Sequence, residues 1–314
     1  MARLSERRRP KRIALLELGS NAARFLLARV TPRDGFRVLR EERVQTRLGG
    51  GPPGRLPRAA VDETVQAVRR FLSRARARER LRVVAVATAA VREAENREGL
   101  LRALRRDEGV RVRVLSERQE ARLGALAALR SLPLMDGLVA DLGGSSLHLT
   151  RLRNGRILST RSVALGAIRT TRRFLRHDPP TSGEVRALRT WIRAALVESL
   201  PSARRGEEMV GLGGTVRALA SIHQGTPAGG DASRHGLRLR QSHVTAIRER
   251  LQVLPKWERQ RIPGLRAERA DIILAGAIVI EEAMILGDYL TLVVCMRGVR
   301  DGLLFQATGN GKGL

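Results

Sequence analysis

Aromatic residues are scarce in this chain: they make up 3% of its 314 residues, with one Tyr, two Trp and five Phe. Proteins that track single-stranded nucleic acid stack successive bases on such rings, so the composition argues against that mode of binding. Cysteine is nearly absent. Cys295 stands alone in the apolar run 292–296 and reads as a small buried hydrophobe. No disulfide framework and no Cys/His zinc spacing can be built from it, which fits a reducing compartment. Lysine is confined to Lys11, Lys256 and Lys312, yet Lys+Arg total 59 against 31 Asp+Glu, a net charge of +28. The excess is therefore arginine, whose planar fork matches phosphate oxygens and whose field speeds encounter with polyanions. The arginines are spread over many segments, so a wholesale replacement of lysine by arginine accounts for many of them equally well. Long apolar runs are missing too. Residues 13–18, behind a basic N-terminus, are too few for a signal-peptide core and include Glu17. Residues 272–286 are interrupted by Glu281 and Glu282 and fall short of the ~20 needed to span a bilayer. A cytoplasmic protein without a membrane partner is expected.

Hydrophobic residues reach 43%, ample for packed cores. The length suits two domains at roughly 100–200 residues each. Apolar β-like runs alternate with helix-like ones, which points to the α/β class. Strands are expected at 12–18, 24–31 and 36–46, with a hairpin at Asp34-Gly35 and a glycine- and proline-rich loop at 49–54. A helix over 58–79, a strand at 82–87, a helix over 95–106, a strand at 111–115 and a helix over 116–130 follow. The opening pattern then recurs. It comprises a strand at 137–142, a turn at Gly143-Gly144-Ser145-Ser146, a strand at 147–152, a hairpin at Asn154-Gly155 and a strand at 156–164. Beyond it come helices over 181–199, 216–223, 242–253, 266–287 and 298–306, and strands at 208–212 and 289–295.

The recurrence organises the chain. Laying Glu17 on Asp141 brings Gly19 onto Gly143 and Ser20 onto Gly144, and both copies reach a hairpin ending in glycine. A twofold repeat of strand, acid, glycine turn, strand, hairpin and strand implies two like domains facing each other across a cleft. The expected divisions are a basic flexible tail at 1–11, an N-terminal domain at 12–130, a C-terminal domain at 131–306 after Ser131-Leu132-Pro133 breaks a helix, and a tail at 307–314. A glycine turn after a buried acid has a physical use. Glycine lets backbone N–H groups approach an anion closely, successive N–H groups form an anion-holding concavity, and the carboxylate holds Mg²⁺ or a water beside the phosphates. A third such turn stands at Gly213-Gly214-Thr215.

Eight ordered segments resemble the exopolyphosphatase/guanosine pentaphosphate phosphatase (Ppx/GppA) family. They are residues 16–21 with Arg24, Ala87 through Ala94 with Asn96, 115–123, 141–146, 165–169, 213–217, 268–276 and 298–302. The resemblance covers about residues 12–306. It implies two duplicated actin-like domains of the sugar-kinase/Hsp70/actin, ribonuclease H-like type around an interdomain cleft, in a short form without further C-terminal helical domains. It also implies hydrolysis of terminal phosphoanhydride bonds. The family's catalytic glutamate maps onto Glu120, a base that would orient the attacking water. Asp141 and Glu17 would hold Mg²⁺ or another divalent cation, or water. Arg24 and Arg92 would clamp phosphate. Gly19, Ser20, Asn21, Gly143, Gly144, Ser145, Ser146, His148, Gly213, Gly214 and Thr215 would line the phosphate positions.

Departures from the family pattern matter. Glu17 stands where the family carries Asp, and His148 where it carries a second active-site Glu. Ala22 and Ala89 replace serines. An extra methylene displaces a bound group by about 1 Å, which can cost ~10²-fold in rate. An imidazole binds hard Mg²⁺ poorly, although a protonated one would donate to phosphate. The expected activity is release of orthophosphate from polyphosphate. Two alternatives stand beside it: a guanosine pentaphosphate 5'-phosphatase, and a catalytically impaired binder of polyphosphate or nucleotide. A sugar or acyl kinase, and nucleic-acid binding driven by arginine alone, are weaker readings. The partner is then polyphosphate or a phosphorylated guanine nucleotide, and a homodimer is the assembly considered.

Overall fold

The computed structural model describes residues 11–31, 35–75, 81–204, 206–226 and 234–307. The N-terminal tail, the C-terminal tail from 308 and part of the hairpin expected at Asp34-Gly35 lie outside the described residues.

Three antiparallel strands open the chain, β1 (Lys11–Leu18), β2 (Ala23–Thr31) and β3 (Gly35–Val44). After α1 (Arg58–Ala75) comes β4 (Leu81–Ala87), then α2 (Ala89–Arg92), α3 (Arg97–Glu108) and β5 (Val112–Val114). The sheet order is β3-β2-β1-β4-β5, with β4 parallel to both β1 and β5. Ile13, Ala14, Leu15 and Leu16 are all buried. A continuous apolar run is what a central strand covered on both faces requires. Helix α1 buries Ala60, Thr64, Ala67, Val68, Phe71, Leu72 and Ala75, the three-and-four spacing of one helical face. Phe71 stacks on Phe25 of β2, ring centroids 5.3 Å apart.

The pattern then repeats. Helix α4 (Glu117–Leu129) precedes β6 (Gly137–Leu142), β7 (Leu147–Arg153) and β8 (Arg156–Val163), again an antiparallel trio. Next come α5 (Ala167–Phe174), α6 (Ser182–Leu196), β9 (Met209–Leu212), α7 (Gly214–Gln224), β10 (Arg238–Arg240), α8 (Gln241–Val253), α9 (Lys256–Arg259), α10 (Ile273–Leu286) and β11 (Thr291–Val294). Read from its other edge, this sheet runs β8-β7-β6-β9-β11-β10, the first sheet's order with one antiparallel strand added. The β7–β8 hairpin turns on Asn154 (φ 50°) and Gly155 (φ 67°), the two left-handed positions that an Asn-Gly turn supplies. A bulge interrupts β2–β3 between Leu27 and Ala28, and another interrupts β7–β8 between Arg151 and Leu152. The offset that lays Glu17 on Asp141 also lays Leu27 and Ala28 on Arg151 and Leu152, so the two irregularities coincide along β2 and β7, although the skipped residues of β3 and β8 do not. Each skips a leucine, Leu39 and Leu158, whose side chain is exposed. Bulges are designed features of a strand, so their coincidence supports the duplication independently of the turn residues.

Helix α10 is buried around nearly its whole circumference. Its Glu281 and Glu282 are paired with Arg189 and Arg193 of α6 and with Arg248 of α8. Arg189 Nη1 reaches Glu282 Oε1 at 2.7 Å, Arg193 Nε reaches Glu282 Oε2 at 2.6 Å and Arg248 Nε reaches Glu281 Oε2 at 3.1 Å. Among the described residues no helix is long and apolar enough to cross a membrane.

A last helix, α11 (Val299–Ala307), packs on β1, and its Phe305 meets Phe36 of β3. The chain accordingly divides into two units, one made of residues up to Ser116 together with those from Val299 on, the other of Glu117–Gly298. The sequence implies a division near 130, with the final helix in the second domain. The structure differs because α4 packs on β6, β7 and β8 while α11 packs on β1. The single helix expected over 266–287 is also corrected. A 3-10 turn at Ala267–Arg269 comes first, and the α-helix begins at Ile273. Elements α2, α5, α9 and β10 were not anticipated.

Candidate active site

In the first unit, residues 19–22 link β1 to β2. Gly19 N–H donates to Ala22 O at 3.1 Å, closing the turn. Ser20 O accepts from Gly49 N–H at 2.8 Å and Asn21 O from Arg47 N–H at 3.1 Å. Gly49 belongs to a short 3-10 segment, Leu48–Gly50, which overlaps the start of the loop expected at 49–54, and Arg47 immediately precedes it. Gly49 fits because it is small: a Cβ there would lie 3.0 Å from Ser20 Cβ. Carbonyls bonded in this way do not oppose an anion, a condition for a backbone concavity that holds one. Asn21 Nδ2 and the hydroxyl of Thr46 are buried with no hydrogen-bond partner among the described residues. Each such group costs about 1–3 kcal/mol, so an oxygen-rich ligand reaching them would be stabilised. The sequence reading passed over Thr46.

Glu17 and Arg24 face each other across β1 and β2, with Arg43 next in the row on β3. Glu17 Oε2 lies 3.8 Å from Arg24 Nη1 and 3.5 Å from Arg300 Nε, the latter from α11. Its carboxylate is thus shared by two guanidinium groups. Arg92, at the end of α2, donates from Nη1 to Leu115 O at 2.8 Å.

The second unit carries the matching turn. Gly143 N–H donates to Ser146 O at 2.9 Å, as Gly19 does to Ala22. Asp141 and His148 are cross-strand partners, as Glu17 and Arg24 are. Here the start of α5 engages the turn carbonyls. Ala167 N–H donates to Gly143 O at 3.0 Å, and Ile168 and Arg169 N–H donate to Gly144 O at 2.9 and 3.1 Å. Gly166 N–H and Arg169 Nε donate to Ser145 O at 3.1 and 2.8 Å. Gly166 lies so close that a Cβ would stand 2.2 Å from the Ser145 carbonyl carbon.

Glu120, in the first turn of α4, is 9% exposed and so is no solvated surface carboxylate. Its Oε2 lies 3.5 Å from His148 Nε2, which in turn lies 3.1 Å from Ser146 Oγ. One turn along α4, Gly124 backs onto Asp141, where a Cβ would come within 3.0 Å of Oδ2. Gly213 (φ 95°) flanks the other oxygen, its Cβ position being 3.3 Å from Asp141 Oδ1 and 2.3 Å from Leu142 O. Gly214 lies beneath the Arg269 guanidinium. Thr215 is fully buried, its Oγ1 accepting from Arg269 Nη2 at 3.5 Å. The second unit therefore brings together Glu120, Asp141, Ser146 and His148 beside Gly143, Gly144 and Ser145, with Gly213, Gly214 and Thr215 at the start of α7. Glu17, Gly19, Ser20, Asn21, Arg24 and Arg92 lie in the first unit.

A hard divalent cation such as Mg²⁺ takes oxygen ligands, commonly one or two carboxylates completed by water and phosphate oxygens. Asp141, narrowly flanked by two glycines, fits that donor set. Glu17, shared between Arg24 and Arg300, does not. Among the described residues no three His, Cys, Asp or Glu side chains could hold a metal by themselves, so a cation here would depend on ligand and water oxygens. Sequence reasoning missed Gly124, Gly166, Arg269 and Arg300. The last three fall inside segments that carried the family resemblance, but only their long-range contacts reveal what they touch.

Twin sheets of one strand order, each with a glycine turn after its first strand, define the two-domain actin-like class of phosphate-handling folds. Comparison with known proteins agrees. The Ppx/GppA phosphatase family profile matches residues 26–310. Exopolyphosphatase 1 of Mycobacterium leprae is 28% identical over 306 residues, covering 94% of this chain and 89% of the relative. Exopolyphosphatase 2 of Mycobacterium tuberculosis is 30% identical over 287 residues, covering 86% and 89%. The crystal structure of the Aquifex aeolicus Ppx/GppA family member superposes with a TM-score of 0.82 at 27% identity, covering 98% of this chain and all of that one. The chain belongs to the Ppx/GppA phosphatase family.

Proposed function

We propose that this protein hydrolyses the terminal phosphoanhydride bond of inorganic polyphosphate and releases orthophosphate. The observation that carries the reading is the buried Glu120 carboxylate beside His148 and Ser146, at the glycine turn that follows Asp141. Glu120 orients a water and accepts its proton while the water oxygen bonds to the terminal phosphorus. The bridging P–O bond breaks, and the shortened chain leaves with that oxygen. His148, within reach of both Ser146 Oγ and Glu120, keeps the carboxylate in position. The backbone N–H groups of Gly144 and Ser145 hold the oxygens of the transferring group, while the Gly143 N–H shapes the turn through its bond to Ser146 O. On the first unit, Ser20, Asn21, Arg24 and Arg92 hold phosphate oxygens, while the Gly19 N–H shapes the turn through its bond to Ala22 O. Asp141 would hold a divalent cation, which when bound neutralises charge on the phosphoryl group.

The names of the curated relatives favour polyphosphate over guanosine pentaphosphate as the substrate. A second reading, a binder that has lost the chemistry, draws on the Glu17 ion pairs and on His148 in place of glutamate. One experiment separates them. Phosphate release from long-chain polyphosphate with Mg²⁺ is measured for the native chain and for Glu120→Ala, with guanosine pentaphosphate in parallel. The enzyme reading expects release that falls by about 10²-fold or more in the variant. Tight binding without Glu120-dependent release would leave only the binder.

A further inference from the structure

Arg300 lies in the first turn of α11 with its side chain 8% exposed. It makes contacts that order it closely. Nη1 donates to Phe25 O at 3.1 Å, Nε lies 3.5 Å from Glu17 Oε2, and Nη2 lies 3.8 Å from Glu41 Oε2. Glu41 is 47% exposed and largely screened by solvent, whereas Glu17 is 13% exposed and is not. Arg24 reaches the same oxygen of Glu17 at 3.8 Å, and Arg43 stands beside Arg24 on the next strand. The shielded carboxylate in this row therefore has two guanidinium partners. An aspartate at position 17, one methylene shorter, would stand farther from both.

We propose that Arg300 is a positioning residue: by sharing Glu17 it leaves the Arg24 guanidinium able to turn to a phosphate oxygen, and Glu17 serves as a counter-ion to arginine instead of a metal ligand. The inference rests on the phosphate-holding role given above to the first turn. Its physical content is a charge balance. Without Arg300 the Glu17 carboxylate is left with Arg24 alone, and it both draws that side chain away from an anion and repels the anion itself. Removing Glu17 as well restores the balance.

The test is a cycle of variants of the full chain, with binding of tripolyphosphate read by titration calorimetry. Arg300→Gln is expected to weaken binding about tenfold or more. Glu17→Gln in the Arg300→Gln background is expected to recover it to within about threefold of the native chain. Arg300→Lys, which keeps the charge without the fork, should fall between, and it carries the same cycle should Arg300→Gln not fold. Because an unpaired shielded carboxylate also weakens the fold, each variant's urea denaturation midpoint is measured beside its binding. Binding that merely follows the midpoint, or a double variant that binds no better than Arg300→Gln, overturns the proposal. It is equally overturned if Glu17→Gln alone raises the Mg²⁺ concentration for half-maximal effect as much as Asp141→Asn does. Recovery of tripolyphosphate binding without any phosphate release would sink the hydrolase reading and leave this inference standing. Glu120-dependent release without recovery would do the reverse.

Discussion

A single hydrogen can decide whether the turn at residues 143–146 keeps its shape. At Gly166 a methyl group would meet the backbone of Ser145 at 2.2 Å, and backbone, unlike a side chain, cannot swing aside. Gly166→Ala is expected to cost more than about 3 kcal/mol in urea denaturation and to abolish phosphate release. Gly109 makes the control. It ends α3 at φ 66° with nothing within 4 Å of an added Cβ, so Gly109→Ala should cost only about 1–2 kcal/mol and leave release intact. Equal losses at the two sites would refute the steric account. The residue scale also shows where the sequence is transparent. Asp141, Glu120 and His148 can be singled out from their motifs, because each sits in a short stretch whose chemistry is local. Gly166 and Arg300 cannot, because what they touch, Ser145 and Glu17, is distant along the chain.

Elements differ in how much of their stability is written locally. Helix α6 is held at its start by a capping box, Thr181 Oγ1 accepting from Glu184 N–H at 3.2 Å and Glu184 Oε2 accepting from Thr181 N–H at 2.9 Å. Desolvation would raise the Glu184 carboxyl. Hydrogen bonds from His177 and from the backbone N–H groups of Thr181, Arg176 and His177 outweigh it and bring the pKa from 4.5 down to about 2. A folded-state value below the unfolded one means stability that is present above about 4.5 and is lost as pH falls toward about 2. The melting temperature should therefore drop more steeply across that window in the native chain than in Glu184→Gln. Parallel curves would show that the cap contributes nothing. Thr181→Ala should cost about 1 kcal/mol at neutral pH. The expected helix over 181–199 overlaps α6 for this reason: its start signal lies within the helix itself. Helix α5 gives no such signal. Ile168, Thr170 and Thr171 are β-branched and weak helix formers, and the helix is held by the carbonyls of Gly143 and Gly144 far upstream. Strand β10 spans Arg238–Arg240 and exists through its pairing with β11, which no local pattern announces.

For the molecule as a whole, the 59 Lys and Arg that outnumber 31 Asp and Glu serve two ends. Some are architectural, since Arg189, Arg193 and Arg248 neutralise the buried Glu281 and Glu282, and Arg151 Nη2 meets Glu207 Oε2 at 2.6 Å. The remainder makes a field that long polyanions feel over a greater length than short ones do. The KM for long-chain polyphosphate should rise with ionic strength more steeply than the KM for tripolyphosphate as the screening length falls through about 10 Å. A flat response would make the arginine excess compositional. The duplication could be seen from glycine turns alone, and the twin bulges and shared strand order bear it out. The interleaving of the units could not be seen, because it depends on which sheet α4 and α11 choose. It has a consequence for biosynthesis. Strands β1 to β5 are made before residues 117–298, yet the helix that packs on β1 is made after them. The intervening stretch is contiguous and can mature as it emerges. The unit begun before its neighbour is thus finished after it, and until then β1 lacks the helix that covers part of it.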